Sequence, residues 1–181
     1  MNTTLEVCPA LSRTDLMAPA VAAALGGWTE PAAAQVEIAG IDPALSDTVE
    51  FCEAYGVALE DSANCVVVAA KRGGETSYAA CVVPATGRAD VNGLVRRHLE
   101  ARKVSFAPMD TVLSATGMEY GGITPVGLPA GWPILVDPAV AAHPKLVVGS
   151  GIRGSKLWVP GPLLAGLPGA HVLPGLGVPV G

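Results

Sequence analysis

Charged and aromatic side chains are both scarce in this sequence. Only 15% of the residues are charged and 4% are aromatic, whereas half are apolar. A chain with so few charges and so much apolar surface can bury a core, which excludes an intrinsically disordered protein. Its 181 residues have the usual size of one domain, so we expect a single domain spanning residues 1–181.

The sequence also lacks the residue spacings of a metal or disulfide site. Four cysteines and three histidines are present, but no two cysteines form a C-x-x-C pair and the histidines lie far apart. This excludes zinc motifs of the usual spacing. The cysteines are expected to be reduced and mostly buried, since no secretion signal is apparent. The alanine-rich run at 18–25 is too short to cross a bilayer, so we expect a cytoplasmic protein.

The net charge of −5 is unevenly distributed along the chain. Residues 1–61 hold ten acidic side chains and one basic one, and seven of the basic side chains fall between Lys71 and Lys103. A globally acidic chain does not suit wide, sequence-independent nucleic-acid binding, which needs many phosphate contacts. The basic stretch is expected either to hold one short single-stranded end or to be a solvated helix face.

Short apolar runs predict several strands. The β-branched run Cys65–Ala70 predicts a buried strand that turns at Lys71–Gly74 and returns antiparallel at Ser77–Val83. Shorter strands are predicted at residues 35–39, 104–107, 134–136, 146–148 and 157–159. The proline- and glycine-rich tail from Pro160 is expected to be irregular.

Capping patterns predict helices between these strands. Asp47 and Glu50 have the spacing of a capping box before a helix that ends at Gly56. Asp90 is expected to cap an amphipathic helix, and Asp110 a shorter one. Hairpins and scattered helices together predict an α+β fold with a largely antiparallel or mixed sheet.

No side-chain nucleophile with a partner base is apparent. The sequence contains no G-x-S-x-G elbow, and no Cys or Ser has a base at a spacing typical of a catalytic pair. The segment Gly149–Gly154 matches G-x-G-x-x-G, but Pro160 follows the next strand at once and no acidic residue occurs after Asp137. A dinucleotide site would need a helix and a ribose-binding carboxylate there. The segment is therefore interpreted as a tight loop between strands.

Two adjacent glycines, Gly121 and Gly122, precede the rigid Pro125 in a long turn. Such glycines permit unusual φ angles and a close approach of the backbone to a ligand. Backbone N–H groups in a turn of this kind can hold an ester carbonyl or a developing oxyanion. The turn is therefore either a structural loop or the backbone part of an ester-binding site.

Four segments of the chain, taken in order, resemble the YbaK/ProX family, which is related to the editing domain inserted in bacterial prolyl-tRNA synthetases. The segments are Tyr55–Val68, Ser114–Leu128, Ile134–Asp137 and Val147–Gly154. They are similar, in this order, to the family's LGv…aKtLvf, tG…GGvsPfGl, vliD and vyvgaGkrG patterns. The resemblance covers about residues 46–168, and residues 1–45 are divergent.

This resemblance implies a mixed, barrel-like β-sheet surrounded by helices. The implied activity is that of an aminoacyl-tRNA deacylase, which hydrolyses the ester joining a wrong amino acid to the 3′-terminal ribose of tRNA. No metal or organic cofactor is implied, and water or a group of the substrate is the expected attacking species. The implied partners are the aminoacylated tRNA 3′ end and an aminoacyl-tRNA synthetase, with no membrane, for a monomer or homodimer.

The resemblance also implies a set of site residues. Gly121, Gly122 and Asn64 are expected to be catalytic, through backbone contacts to the aminoacyl group and a neutral side-chain donor. The expected substrate-binding residues are Thr124, Pro125, Asp137, Gly149, Ser150, Gly151, Arg153 and Lys71. For Asp137 a structural role is equally expected, since it ends a strand and precedes a helix.

Several positions depart from the family pattern, among them Ile152, which falls where the family's gaGkrG turn carries a lysine. Asn64 falls where the family carries a near-invariant lysine, and Lys156 falls where some relatives carry an aspartate. Asn is neutral and shorter than Lys, so two alternatives to a deacylase stay open. One is a non-catalytic protein of the same fold that binds a tRNA end or an acyl ligand. The other is a small-molecule hydrolase with a non-tRNA acyl substrate, with which the acidic net charge is compatible.

Overall fold

A computed structural model describes residues 3–180, which form three β-sheets and seven short α-helices. The strands are β1 (Cys8–Pro9), β2 (Glu37–Gly40), β3 (Ala63–Arg72), β4 (Glu75–Pro84), β5 (Gly87–Ala89), β6 (Lys103–Phe106), β7 (Ile134–Val136), β8 (Leu146–Gly149), β9 (Ser155–Val159), β10 (Ala170–Val172) and β11 (Gly177–Pro179). The helices are α1 (Pro19–Gly26), α2 (Glu30–Ala33), α3 (Thr48–Tyr55), α4 (Arg96–His98), α5 (Met109–Thr116), α6 (Pro138–Ala142) and α7 (Gly161–Ala165). Within residues 3–180, every helix is too short or too polar to cross a membrane.

The largest sheet has five strands in the order β10-β7-β4-β3-β6 and is mixed. Strands β10, β7 and β4 run parallel to one another, and β3 is antiparallel to both β4 and β6. Gly73 and Gly74, both with positive φ, close the β3–β4 hairpin, as expected for a two-residue turn that matches the strand twist. The hairpin predicted from the sequence is confirmed.

This sheet buries side chains on both faces, which explains the continuous apolar run in its central strands. On β4, Ala80 and Val82 pack into the core cluster that includes the N-terminal helix α1. The alternate residues Cys81 and Val83 pack on the opposite face, together with Val95 and Leu176. Successive strand residues point to opposite faces, so each face has its own apolar layer.

A second sheet of four antiparallel strands has the order β1-β2-β9-β8. Its edge strand β8 meets the start of β3 through a single parallel bridge between Val147 and Ser62. This bridge places the first residues of β3 beside the turn that joins β8 to β9. The candidate site lies at this junction.

The tail from Pro160 is regular rather than irregular, which corrects the sequence prediction. It forms α7, then β10, which extends the five-stranded sheet beside β7, and then β11, which pairs with β5. These strands are only three residues long and depend on pairing with distant segments, so local sequence carries little sign of them.

The α+β class with a mixed sheet is confirmed, whereas the barrel-like detail is not. The strand pairings described for residues 3–180 leave both larger sheets open, with β1 and β8 at the edges of one and β10 and β6 at the edges of the other. One residue bridge connects the two sheets, which is not a closed barrel.

We predict that Leu135→Ala destabilises the protein by about 2–5 kcal/mol, the range for removing a buried leucine side chain. Leu135 is fully buried on β7, which lies between β10 and β4 in the five-stranded sheet. The measurement is urea-induced unfolding. Val49→Ala, at a side chain that is 54% exposed, is the control and should change the free energy of unfolding by less than about 0.5 kcal/mol. Equal effects of the two substitutions would contradict the described core.

Candidate functional site

A cleft of about 460 Å³ lies where the start of β3 meets the beginning of α3, the turn at residues 120–123 and the ends of β8 and β9. Every residue that lines it falls between Ser46 and Lys156 in the chain. Cavities of this volume are typical of sites for small ligands. The cleft is therefore large enough for one end of a substrate.

Two glycine-rich turns form one wall of the cleft by packing backbone against backbone. Gly151 N donates a hydrogen bond of 2.7 Å to Gly122 O, and Glu119 N donates one of 2.8 Å to Gly151 O. A Cβ atom on Gly122 would lie 2.7 Å from the Ile152 backbone, and one on Gly149 would lie 2.5 Å from Ile123 O. Any larger residue at either position would push the two turns apart.

The two adjacent glycines have different surroundings. Gly122 is buried, and its N–H donates to Glu119 O at 2.9 Å, so this amide has no donor left for a ligand. Gly121 has a φ of 80° and lines the cleft. Within residues 3–180, its N–H has no hydrogen-bond acceptor. Gly121 is therefore the donor of the pair, and Gly122 is the residue that holds the turn in place.

Asn64 also lines the cleft, at the start of β3. The Thr48 hydroxyl donates a hydrogen bond of 2.7 Å to Asn64 Oδ1. This bond fixes the orientation of the amide, and both Nδ2 donors are without a partner in the described part of the chain. The side chain thus offers two neutral donors to a ligand in the cleft.

The predicted capping box does not form. Asp47 occupies the N-cap position of α3, but its carboxylate makes no capping hydrogen bond. Instead the Asp47 side chain lines the cleft, where its negative charge acts on Lys156. The sequence has the spacing of a capping box, but the Asp47 side chain lies in the cleft instead of capping the helix.

Lys156 is the main cleft residue that sequence reasoning did not assign to the site. It extends from β9, is only 6% exposed, and its Nζ donates a hydrogen bond of 2.7 Å to Ser46 O. Nζ also lies 5.5 Å from the centre of the Phe51 ring. Burial lowers the pKa of Lys156, and the nearby Asp47 carboxylate opposes part of this effect. In the sequence, the sign of this role was a charged residue directly before the apolar run 157–159.

Arg153 lies near the mouth of the cleft, next to Gly121. Its guanidinium donates hydrogen bonds to Tyr120 O at 3.1 Å and Pro43 O at 3.3 Å, and its backbone N–H donates to the Glu119 carboxylate at 2.8 Å. The guanidinium also lies 5.7 Å from the centre of the Tyr120 ring. These contacts make a cationic and aromatic surface where the cleft opens.

A comparison with known protein families identifies the family of this chain. Residues 42–167 match the model of the aminoacyl-tRNA editing domain. The chain belongs to the aminoacyl-tRNA editing domain family. The matched range contains all the residues that line the cleft, and it confirms the family resemblance drawn from the sequence.

Solved structures show the same fold. A candidate trans-editing enzyme for prolyl-tRNA synthetase is 19% identical, with a TM-score of 0.72 over 90% of this chain and 99% of that one. A scaffold protein for computational epitope grafting is 20% identical, with a TM-score of 0.73 over 89% and 97%. A candidate signal transduction protein from Marinobacter aquaeolei is 16% identical, with a TM-score of 0.54 over 88% of this chain and 30% of that one. No curated protein matches the sequence of this chain.

The hydroxyl and thiol groups of this editing domain's cleft lack the features of nucleophiles. Burial raises the pKa of the Cys65 thiol far above its ordinary value, and the neighbouring Cys81 adds to the effect. Cys65 is therefore a neutral thiol near pH 7, and the thiolate is the reactive form. The Thr48 hydroxyl is bonded to the Asn64 amide rather than to a base.

Several expected site residues lie in or around the turns but outside the cleft. Thr124 is fully buried, and its Oγ1 has no hydrogen-bond partner among residues 3–180. Pro125 lines a second cleft of about 600 Å³ beside Trp28 and Trp132. Ser150 is buried and shares a hydrogen bond of 2.6 Å with the Ser155 hydroxyl, which braces the second turn. Gly149 alone of the residues expected in that turn lines the cleft.

Asp137 and Lys71 lie away from the other predicted residues. Asp137 accepts hydrogen bonds of 2.8 Å from Ala139 N and Gly177 N, so it caps α6 and holds β11. Lys71 is exposed at the far end of β3. It is seven residues from Asn64 along an extended strand, or about 23 Å. The structure therefore brings together Gly121, Asn64, Gly149 and Arg153, but not these two.

We predict that Gly122→Ala lowers the stability of the editing domain by about 1–3 kcal/mol, the usual cost of overpacking. The added Cβ would meet the Ile152 and Gly151 backbone at 2.7–2.8 Å. Gly154→Ala is the matched control, because its Cβ would find only ordinary contacts at 3.8 Å and beyond. Urea unfolding of both variants is the measurement, and a Gly122→Ala variant as stable as the control would contradict the described contact.

Proposed function

We propose that this editing domain is an aminoacyl-tRNA deacylase that acts in trans, by hydrolysing the ester between a wrong amino acid and the 3′-terminal ribose of tRNA. One observation carries the proposal beyond family membership. The cleft presents two donors without partners among residues 3–180, the Gly121 N–H and the Asn64 amide, and its Cys65 thiol and Thr48 hydroxyl have no activating base. Such a cleft suits an ester that is positioned and polarised rather than attacked by the protein.

In this mechanism the donors act on the ester carbonyl oxygen. Hydrogen bonds to that oxygen draw charge from the carbonyl carbon and stabilise the tetrahedral intermediate. Water or a hydroxyl of the substrate itself then attacks the carbon, and holding the ester against it supplies much of the remaining acceleration. The fixed orientation of Asn64, given by Thr48, means that no reorganisation is needed at this donor.

The tRNA side of the substrate fits the mouth of the cleft. Tyr120 is 58% exposed there, beside the Arg153 guanidinium. An aromatic ring next to a guanidinium can stack an unpaired base and contact its phosphate. We propose that the 3′ end enters along this surface, and that a synthetase is the partner that releases the mischarged tRNA.

Asn64 itself favours a second candidate function. A neutral amide stabilises a developing negative charge less than a cation does, so the same cleft suits a protein that binds an aminoacyl end without turnover. The two functions differ only in whether the amino acid is released.

The deciding experiment follows amino acid release from a panel of mischarged tRNAs. We expect the wild type to deacylate at least one of them, and Asn64→Ala to lower kcat on that tRNA by about 10²-fold, the usual loss for one oxyanion donor. Asn92→Ala, at an exposed asparagine outside the cleft, is the matched control and should leave release unchanged. Both variants should unfold at the same urea concentration as the wild type or close to it.

The panel also separates the alternatives. Binding without release, with release gained only in Asn64→Lys, would contradict the deacylase and support the binding protein. Turnover of p-nitrophenyl or thioester substrates with no release from any tRNA would instead indicate a small-molecule hydrolase.

A further inference from the structure

Lys156 is a buried lysine that has the Asp47 carboxylate in its surroundings but no ion-pair partner among residues 3–180. Its side chain lines the cleft at 6% exposure. Only one of its three N–H donors has an acceptor, the Ser46 carbonyl. Buried charges are normally paired or fully hydrogen-bonded. Two donors therefore remain for a group that enters the cleft.

Ser46 gives a second, independent sign of a missing ligand. Its side chain is 1% exposed and lines the same cleft, yet its Oγ has no hydrogen-bond partner among the described residues. Nearly all buried side-chain polar atoms in folded proteins have a partner. An incoming oxygen atom would satisfy this hydroxyl.

The cation, the hydroxyl and the free amide lie in one corner of the cleft. Ser46 O accepts the Lys156 hydrogen bond, and Ser46 Oγ lies 2.9 Å from the position that a Cβ on Gly121 would occupy. Ser46 is thus a neighbour of both Lys156 and Gly121, and Arg153 Nη1 lies 2.5 Å from the same Gly121 position. The pKa of Lys156 is affected by burial, Asp47, Cys52 and Arg153. Burial, which lowers this pKa, has the largest effect.

We propose that Lys156 and Ser46 form an oxyanion subsite that stabilises the negative oxygen of the tetrahedral intermediate in the reaction proposed above. The proposal rests on that function. The subsite is assigned to the reacting carbonyl rather than to a tRNA phosphate because Lys156 is deeply buried, whereas Arg153 near the mouth is more accessible. Lys156 then supplies from β9 the positive charge that Asn64 does not supply from β3.

The step balances as an ordinary hydrolysis. The oxygen of water bonds to the carbonyl carbon, and the carbonyl electron pair moves to its oxygen beside Lys156. The pair then returns, the bond from carbon to the ribose oxygen breaks, and a water proton ends on that ribose oxygen. Lys156 keeps its protons throughout and acts only through charge and hydrogen bonds.

The kinetic test replaces Lys156 by methionine, which has a similar length and no charge. Lys156→Met should lower kcat by about 10²- to 10³-fold, the usual loss for an oxyanion-hole donor, with KM changed less than about threefold. Ser46→Ala is a smaller substitution and should also lower kcat. Lys145→Met, at a lysine outside the cleft that pairs with Glu37, is the matched control and should leave both constants unchanged. An unchanged kcat in Lys156→Met overturns the proposal.

A binding test does not depend on turnover. The probes are 3′-alanylamido-3′-deoxyadenosine, which has a planar neutral amide, and the corresponding phosphonate, which is a tetrahedral anion. The wild type should prefer the phosphonate on the order of 10²-fold, as expected for a transition-state mimic. Lys156→Met should reduce that preference to below about tenfold while still binding the amide, which also shows that it is folded.

The two tests separate failure of the subsite from failure of the proposed function. A wild type that shows no preference for the phosphonate, or a Lys156→Met variant that loses both probes equally, overturns the subsite. A preference that depends on Lys156 in a protein that releases no amino acid from any tRNA supports the subsite and contradicts the deacylase.

Discussion

Gly122 and Gly149 bring two chain segments together at a separation that a Cβ atom would prevent. The contact joins the turn before β7 to the turn between β8 and β9, and two backbone hydrogen bonds through Gly151 close it. The contact uses the Gly122 carbonyl, and the Gly122 N–H donates to Glu119 O within the first turn, so Gly121 remains as the residue of the pair whose N–H has no acceptor among residues 3–180. The geometry of the candidate site follows from this contact and from the bridge that places β3 beside β8.

The groups that the cleft leaves unsatisfied lower the stability of the folded chain. A buried lysine without an ion-pair partner and a buried hydroxyl without a partner each cost free energy that an apolar residue would not. Proteins that violate the usual rules of polar burial tend to do so at functional sites. In this editing domain Lys156 and Ser46 lie together in one corner of the cleft, whereas the other unpartnered hydroxyl of residues 3–180, that of Thr124, is buried outside it.

Much of the fold could be predicted because its signals are local. The strand Ile134–Val136 was predicted with its observed bounds, and the Lys71–Gly74 turn follows from two glycines flanked by β-branched runs. The strands β10 and β11 were missed because their pairing with β7 and β5 joins segments far apart in sequence. The same long-range pairing decides whether the sheets stay open or close into a barrel. The local sequence therefore contains no signal that could support the expectation of a barrel.

The candidate site was only partly predictable for a related reason. Gly121 was singled out by the doubled glycine before Pro125, and Asn64 by the family resemblance, which also marked the position of Lys156 but gave it no role. A strand pattern in the sequence places Lys156 on β9. It does not show that Ser46 and Phe51 lie against this lysine, because that contact depends on the tertiary structure. Likewise the spacing of Asp47 and Glu50 was correct for a capping box, and the carboxylate instead lines the cleft.

We expect the contact between the two glycine turns to direct the Gly121 amide at an acyl carbonyl. A crystal structure of the protein with a non-hydrolysable aminoacyl-adenosine amide is the measurement that decides this. The amide carbonyl oxygen should lie within hydrogen-bond distance of Gly121 N, about 3 Å, with the Asn64 amide also beside it. A ligand bound in the second cleft beside Trp28 and Trp132, with the Gly121 amide facing only water, would contradict it.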